Sequence, residues 1–175
     1  MKVVVISGSP RKNAKTQLAM KYVFEYTKTK GVEVDFVNLS EDEVEYFKGS
    51  EEEYTQVTKD AAKKIMESDV WLIGTPIYNS FFSSALKNLF EYVDYKKTQG
   101  KVAGIVIMAS GNIGFIGVQT LLTQLLSYFR VITNPKAVFL KVDSISENKL
   151  SNESAKKRLI EMVDATLKIS LKINS

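Results

Sequence analysis

The 175-residue sequence contains no cysteine and no histidine. The first absence excludes disulfides, thiolate nucleophiles, iron–sulfur ligation and cysteine-based zinc sites. The second removes the commonest general base and the commonest transition-metal ligand. Chemistry must therefore use carboxylates, Lys, Tyr, hydroxyls or a borrowed cofactor. The cofactor is the economical choice, and no metal site is expected. No apolar run approaches the length of a membrane span, and no charged-then-apolar leader opens the chain. Repeats, linkers and low-complexity tracts are missing too. The expectation is a cytoplasmic protein with residues 1–175 forming one domain and no membrane partner.

What is present is ordinary for a globular protein, with 45% apolar and 25% charged residues. The net charge of +4 is unevenly spread. Glu41, Asp42, Glu43, Glu45, Glu51, Glu52 and Glu53 form an acidic patch relieved only by Lys48, so the remainder is distinctly basic. Its lysines are scattered over helix faces without interleaved arginines and aromatics. That pattern argues for solvated surface and small anionic ligands, not for nucleic acid. The acidic 40–53 segment reads as a solvated excursion.

Hydrophobic periodicity gives an alternation of strand and helix. Val3–Ile6, Val70–Gly74 and Val102–Met108 are continuous apolar runs typical of buried strands, while Val32–Leu39 alternates. A last strand lies within Val131–Leu140, interrupted by Pro135. Helical periods cover about 14–29, 54–68, 82–95, 115–129 and 152–171. Five strands alternating with five helices imply βαβ crossovers, a parallel sheet and helices on both faces. Ligands of such sheets sit beyond the carboxyl ends of the strands. The loops after the first, third and fourth strands should meet there.

The first of these loops, Gly8-Ser9-Pro10-Arg11-Lys12-Asn13-Ala14-Lys15-Thr16-Gln17, wraps the start of a helix. Unpaired N–H groups and the helix dipole favour an anion at such a place. Ser9 and Thr16 supply hydroxyls, and Arg11 and Lys15 supply charge. The stretch reads as a phosphate cradle. Its spacing brushes that of a P-loop, but Ser9 and Ala14 replace the two glycines that let a backbone curl round a triphosphate. A dinucleotide fingerprint fails as well, because only Gly8 is present. The second loop runs from Gly74 through Pro76, Ile77, Tyr78, Asn79 and Ser80 to Ser84. Pro76 should carry the chain stiffly out of the sheet. That would leave the following N–H groups to address a flat heterocycle. The third, Ser110-Gly111-Asn112-Ile113-Gly114, is glycine-rich and allows close backbone approach to a ligand.

Taken together these residues resemble the NADPH-dependent FMN reductase family, and the likeness covers nearly the whole chain. Gly8-Ser9-Pro10-Arg11…Asn13…Thr16 is similar to that family's FMN phosphate loop. Thr75-Pro76-Ile77-Tyr78-Asn79 with Leu86-Lys87-Asn88 resembles its segment against the flavin ring, and Ser110–Gly114 resembles its loop beside the same ring. The chain departs at Ile77, where many members carry Glu, and at Asn112, which replaces a Gly. The resemblance implies a flavodoxin-like three-layer α/β sandwich with a five-stranded parallel sheet in the order 2-1-3-4-5. It implies noncovalent FMN, with the phosphate at Ser9, Arg11, Asn13, Lys15, Thr16 and Gln17. The ring would lie along Pro76, Ile77, Tyr78, Asn79 and Ser80, with Ser110, Gly111, Asn112 and Gly114 closing the other side.

The expected activity is hydride transfer from NAD(P)H, as co-substrate, to flavin N5, followed by delivery of electrons to free flavin, a quinone or an azo compound. Tyr78 and Asn79 are expected to position flavin or substrate; no residue is assigned as acid or base. The rival is a flavodoxin-type electron carrier with no NAD(P)H turnover of its own; a second is a nucleotide phosphatase or kinase. Family members pair through the helix after the second loop. Phe81, Phe82, Leu86, Leu89, Phe90, Tyr92 and Tyr95 make segment 81–95 greasy enough to predict a homodimer or a dimer of dimers.

Overall fold

The computed structural model describes residues 1–174. Its core is a mostly parallel sheet in the order β2-β1-β3-β5-β6. The strands are β1 (Lys2–Ser7), β2 (Glu33–Asn38), β3 (Val70–Tyr78), β5 (Val102–Ala109) and the short β6 (Ile132–Thr133). Val3 and Val5 point into one apolar cluster with Ala19, Met20 and Met162. Val4 and Ile6 point into the other with Ile65, Trp71 and Leu89. This period-two alternation puts α1 (Lys15–Lys28) and α5 (Glu153–Ile173) on one face. The opposite face carries α2 (Gln56–Glu67), α3 (Ser84–Glu91) and α4 (Phe115–Tyr128). The expected three layers and the order 2-1-3-4-5 are thus met, counting the broken strand at the β5 edge as the fifth, with differences in detail.

Three details differ. The fifth strand comes in two pieces, β6 and β7 (Val138–Lys141), both parallel to β5. Pro135 between them has no N–H to give to the ladder. Asn134 still reaches the ladder, its N–H donating to the Ala103 carbonyl at 2.8 Å, while its Nδ2 donates to Thr166 Oγ1 of α5 at 2.9 Å. The sheet also gains an antiparallel piece, β4 (Phe81–Phe82), folded back on β3. A separate hairpin, β8 (Ile145–Ser146) with β9 (Lys149–Leu150), precedes α5.

The helix expected over 82–95 is shorter. β4 takes Phe81 and Phe82, α3 covers Ser84–Glu91, and a 3₁₀ turn follows at Tyr95–Lys97. Phe82, Leu86, Leu89 and Phe90 are all buried within the chain itself. Most of the apolar surface behind the expected pairing is therefore used in the monomer's own core. Phe81 remains 45% exposed.

The acidic segment is solvent-facing, as expected, and it is also tied down. Asn88 of α3 donates from Nδ2 to the Glu45 carbonyl at 2.7 Å and accepts from the Phe47 N–H at 2.9 Å. Tyr92 also donates to the Glu45 carbonyl at 2.7 Å. The rings of Phe47, Tyr54 and Tyr92 pack together, with Tyr54 and Tyr92 edge-on at 4.9 Å. The Glu45 carboxylate sits below its ordinary range because the Thr55 N–H and hydroxyl donate to it. Its contribution is present above that range and lost as pH falls through it.

Burial, with Tyr54 and Glu45 nearby, pushes the Tyr92 phenol up to about 12. An unfolded chain would ionise this phenol near 10. The unfolded state therefore releases its proton first, and stability falls as pH rises through that interval. Urea midpoints measured between pH 8 and 12 should decline more steeply for wild type than for Tyr92→Phe. Parallel curves would remove Tyr92 from the alkaline loss.

Candidate active site

The site forms where β1, β3 and β5 end. β1 gives way at Gly8, whose N–H donates to the Gly74 carbonyl at 2.8 Å. The Gly8 carbonyl accepts from the hydroxyl of Ser83. Ser83 in turn caps α3 by accepting from the Leu86 N–H at 3.1 Å. A Cβ on Gly8 would lie 2.8 Å from the Gly74 carbonyl oxygen. What glycine supplies here is space, and it locks the first loop against the third strand.

The chain then turns through Asn13, whose φ of 56° is left-handed, and enters α1 behind Ala14. Ala14 is the N-cap and has no side chain able to cap. The first hydrogen bond of the helix is Leu18 N–H to the Ala14 carbonyl at 3.3 Å. The N–H groups of Lys15, Thr16 and Gln17 therefore meet no backbone acceptor among the described residues. Thr16 is 2% exposed, yet its hydroxyl has no protein partner among the described residues. Ser9 is fully buried, with Oγ 3.2 Å from the Tyr78 hydroxyl. Arg11, Lys12 and Lys15 form no ion pair among the described residues.

These groups open onto a cleft of about 400 Å³. One end is made by Ser9 and the 11–16 turn. The other end is made by Pro76, Ile77 and Tyr78 from β3, Met108, Ala109 and Ser110 from β5, and Val142 beyond β7. Three cations and no carboxylate line it. A larger groove of about 530 Å³ lies on the other side of the same loop, but Glu41, Asp42 and Glu43 line it. Those charges would repel a phosphate dianion, whereas the cations of the smaller cleft would attract one.

Nine of the expected residues line this cleft: Ser9, Arg11, Asn13, Lys15, Thr16, Pro76, Ile77, Tyr78 and Ser110. Gln17 turns its side chain away, donating from Nε2 to Glu41 Oε1 at 2.7 Å. Its contribution is confined to the backbone N–H. Pro76 does not eject the chain from the sheet. β3 continues through Pro76, paired with Met108, to Tyr78. Asn79 and Ser80, with φ of 49° and 64°, then form the two-residue turn into β4. Two left-handed residues match the twist of a tight hairpin. Asn79 faces a neighbouring groove, and Ser80 sits exposed at the tip. Gly111 and Asn112 are exposed beside the cleft. Gly114, at φ 92°, backs Ile77, whose Cδ1 would lie 3.5 Å from a Cβ there.

Lys12, Ala14, Met108, Ala109 and Val142 line the cleft without having been singled out. Met108 and Ala109 close a strand that reads only as apolar core. The usable signal was topological: every strand end on the carboxyl side is a candidate lining position.

Residues 1–143 match the model of the family described as NADPH-dependent FMN reductase. The chain belongs to this family. An NAD(P)H-dependent FAD/FMN reductase from Geobacillus thermodenitrificans is 27% identical over 166 residues, spanning 93% of this chain and 89% of the relative. An FMN-dependent NADPH-azoreductase of Staphylococcus aureus is 31% identical over 137 residues, spanning 75% of this chain and 69% of the relative. The flavoenzyme FerB of Paracoccus denitrificans, an NAD(P)H:(acceptor) oxidoreductase, superposes with a TM-score of 0.78 at 22% identity, covering 98% of this chain and 97% of its own. At that identity the likeness establishes the fold. This reductase is thus an FMN-using, NAD(P)H-dependent oxidoreductase, as the resemblance implied. Among the described residues no helix is long and apolar enough to cross a membrane.

Proposed function

We propose that the cleft holds FMN with its phosphate at the start of α1 and its ring against β3 and β5. One observation carries this reading: the helix start is bare. Ala14 caps nothing, and among the described residues three N–H groups and the Thr16 hydroxyl meet no partner, all at the cationic end of a cleft whose far end is apolar. Donors of this kind left without acceptors are costly unless a ligand or water satisfies them. A phosphate monoester does so, and the helix dipole and Arg11 reinforce it.

Held there, FMN would supply the redox chemistry between NAD(P)H and an acceptor such as free flavin, a quinone or an azo compound. The chain's own residues bind and orient. Pro76 and Ile77 offer an apolar wall, and Ser110 and nearby backbone groups address polar edges. Ser9 holds the Tyr78 hydroxyl and so ties the ring wall to the phosphate loop. With no carboxylate in the lining and no histidine in the chain, positioning is the protein's task, and proton transfer is left to solvent. A carrier function without turnover is the lesser reading, because the relatives are named as reductases.

Fluorescence titration with FMN tests the assignment, and consumption of NADPH by the purified protein tests turnover. Arg11 is exposed, so its charged hydrogen bond to phosphate should sit at the low end of the usual range. Arg11→Ala is expected to weaken FMN binding by about 1.5 kcal/mol, roughly tenfold. Riboflavin, lacking the phosphate, should bind both proteins equally. An FMN affinity unchanged by the substitution would place the phosphate elsewhere.

A further inference from the structure

On the far side of Tyr78 lies a second groove, of about 550 Å³. Tyr78 is the one residue that lines both this groove and the FMN cleft. Phe47, Phe81 and Phe82 form its walls, with Asn79 at the edge. Two of these rings are left open to solvent, Phe81 at 45% and Phe47 at 37% exposure. Both are held from behind. Phe47 packs edge-on against Tyr92 at 5.3 Å, and its N–H is fixed by Asn88. Phe81 lies in β4, paired with Tyr78, with its ring 4.7 Å from that of Phe82. Rings fixed in this way lose little entropy when a flat molecule stacks on them.

The charges say which flat molecule. Lys87, the groove's only cation, is paired with Glu91, which lines the groove as well. The ion pair leaves no net positive charge to attract a phosphate-bearing dinucleotide. An uncharged ring system suits the walls, and the volume is that of an ordinary small-molecule pocket. We propose that this groove is a docking subsite for uncharged planar aromatic acceptors of the naphthoquinone class, with Phe81 and Phe47 as the residues that set the preference. The proposal rests on the FMN reading, since Tyr78 would then stand between acceptor and flavin.

Equilibrium dialysis with 1,4-naphthoquinone, on FMN-loaded and FMN-free protein, tests it. The lack of cysteine removes thiol addition as a competing reaction. Wild type should bind the quinone in both forms. Phe81→Ala should weaken that binding roughly three- to tenfold, the worth of an aromatic contact, and Phe81→Tyr should restore it. The affinity for FMN should be the same in all three. Unchanged quinone binding in Phe81→Ala, with FMN affinity intact, would overturn the proposal. So would displacement of the quinone by NADP⁺ in FMN-free protein. So would a failure of wild type to bind quinone while sedimentation shows a dimer that Phe81→Ala dissociates, because a second copy would then own the groove. If wild type binds quinone but not FMN, the FMN reading falls while the groove stands.

Discussion

Trp71→Ala should cost about 3–5 kcal/mol of stability, the usual toll of removing a large buried aromatic. Trp71 is fully buried in β3, beneath α2 and α3. Its ring packs against Phe90 at 5.7 Å and Phe129 at 6.3 Å. Its indole N–H donates to the Ile65 carbonyl at 2.9 Å, at the end of α2. Alanine leaves a cavity with stiff walls, and the Ile65 carbonyl keeps only the long bond from the Ser68 N–H at 3.4 Å. Typical domains have only about 5–15 kcal/mol in hand, so the variant should unfold at much lower urea. Circular dichroism is the suitable monitor, since Trp71 is the only tryptophan. A midpoint within about 1 kcal/mol of wild type would mean that α2 and α3 close over the gap.

The second large effect falls on the site itself. A methyl group on Gly8 would stand 2.8 Å from the Gly74 carbonyl oxygen and 3.2 Å from Leu86 Cβ. The first obstacle is backbone in the middle of the sheet, which cannot rotate away. Gly8→Ala should therefore cost about 3 kcal/mol, the upper end of ordinary overpacking. The cheapest relief is a shift of the first loop away from β3. That shift would break the Gly8–Gly74 and Gly8–Ser83 hydrogen bonds and carry Ser9 off Tyr78. FMN affinity should fall with stability. The two can be separated at low temperature, where the folded fraction is high and titration reads the cleft alone. Gly8→Ala with wild-type stability and FMN affinity would show that the loop is not pinned as described.

The layers of this fold were legible because apolar periodicity reports which way side chains face. Val3 to Ile6 point alternately into two cores, so a continuous apolar strand with helices on both sides follows. The cationic end of the cleft was legible for a similar reason: hydroxyls and cations crowd a strand-to-helix junction. The backbone course at the apolar end was read less well. Pro76 suggested an exit from the sheet, but proline forbids only donation. Its carbonyl and φ remain compatible with a strand, and β3 runs on to Tyr78. The hairpin that follows depends on Asn79 and Ser80 both adopting left-handed backbone, which Ser does not advertise. The acidic segment is solvent-facing as read, but charge count says nothing of the backbone partners that hold it. The Asn88 amide and three aromatic rings anchor it, and the hydrogen bonds from Asn88 and Tyr92 join residues over 40 positions apart.

The bare start of α1 links cofactor supply to the integrity of the fold. With FMN bound as proposed, a helix start without a built-in cap would be the first turn to fray in newly made chains that lack flavin. Bound FMN would close it, and by mass action would raise the whole protein's resistance to unfolding. Flavin scarcity would then be felt as faster turnover of the polypeptide, before any loss of catalytic competence in the molecules that remain loaded.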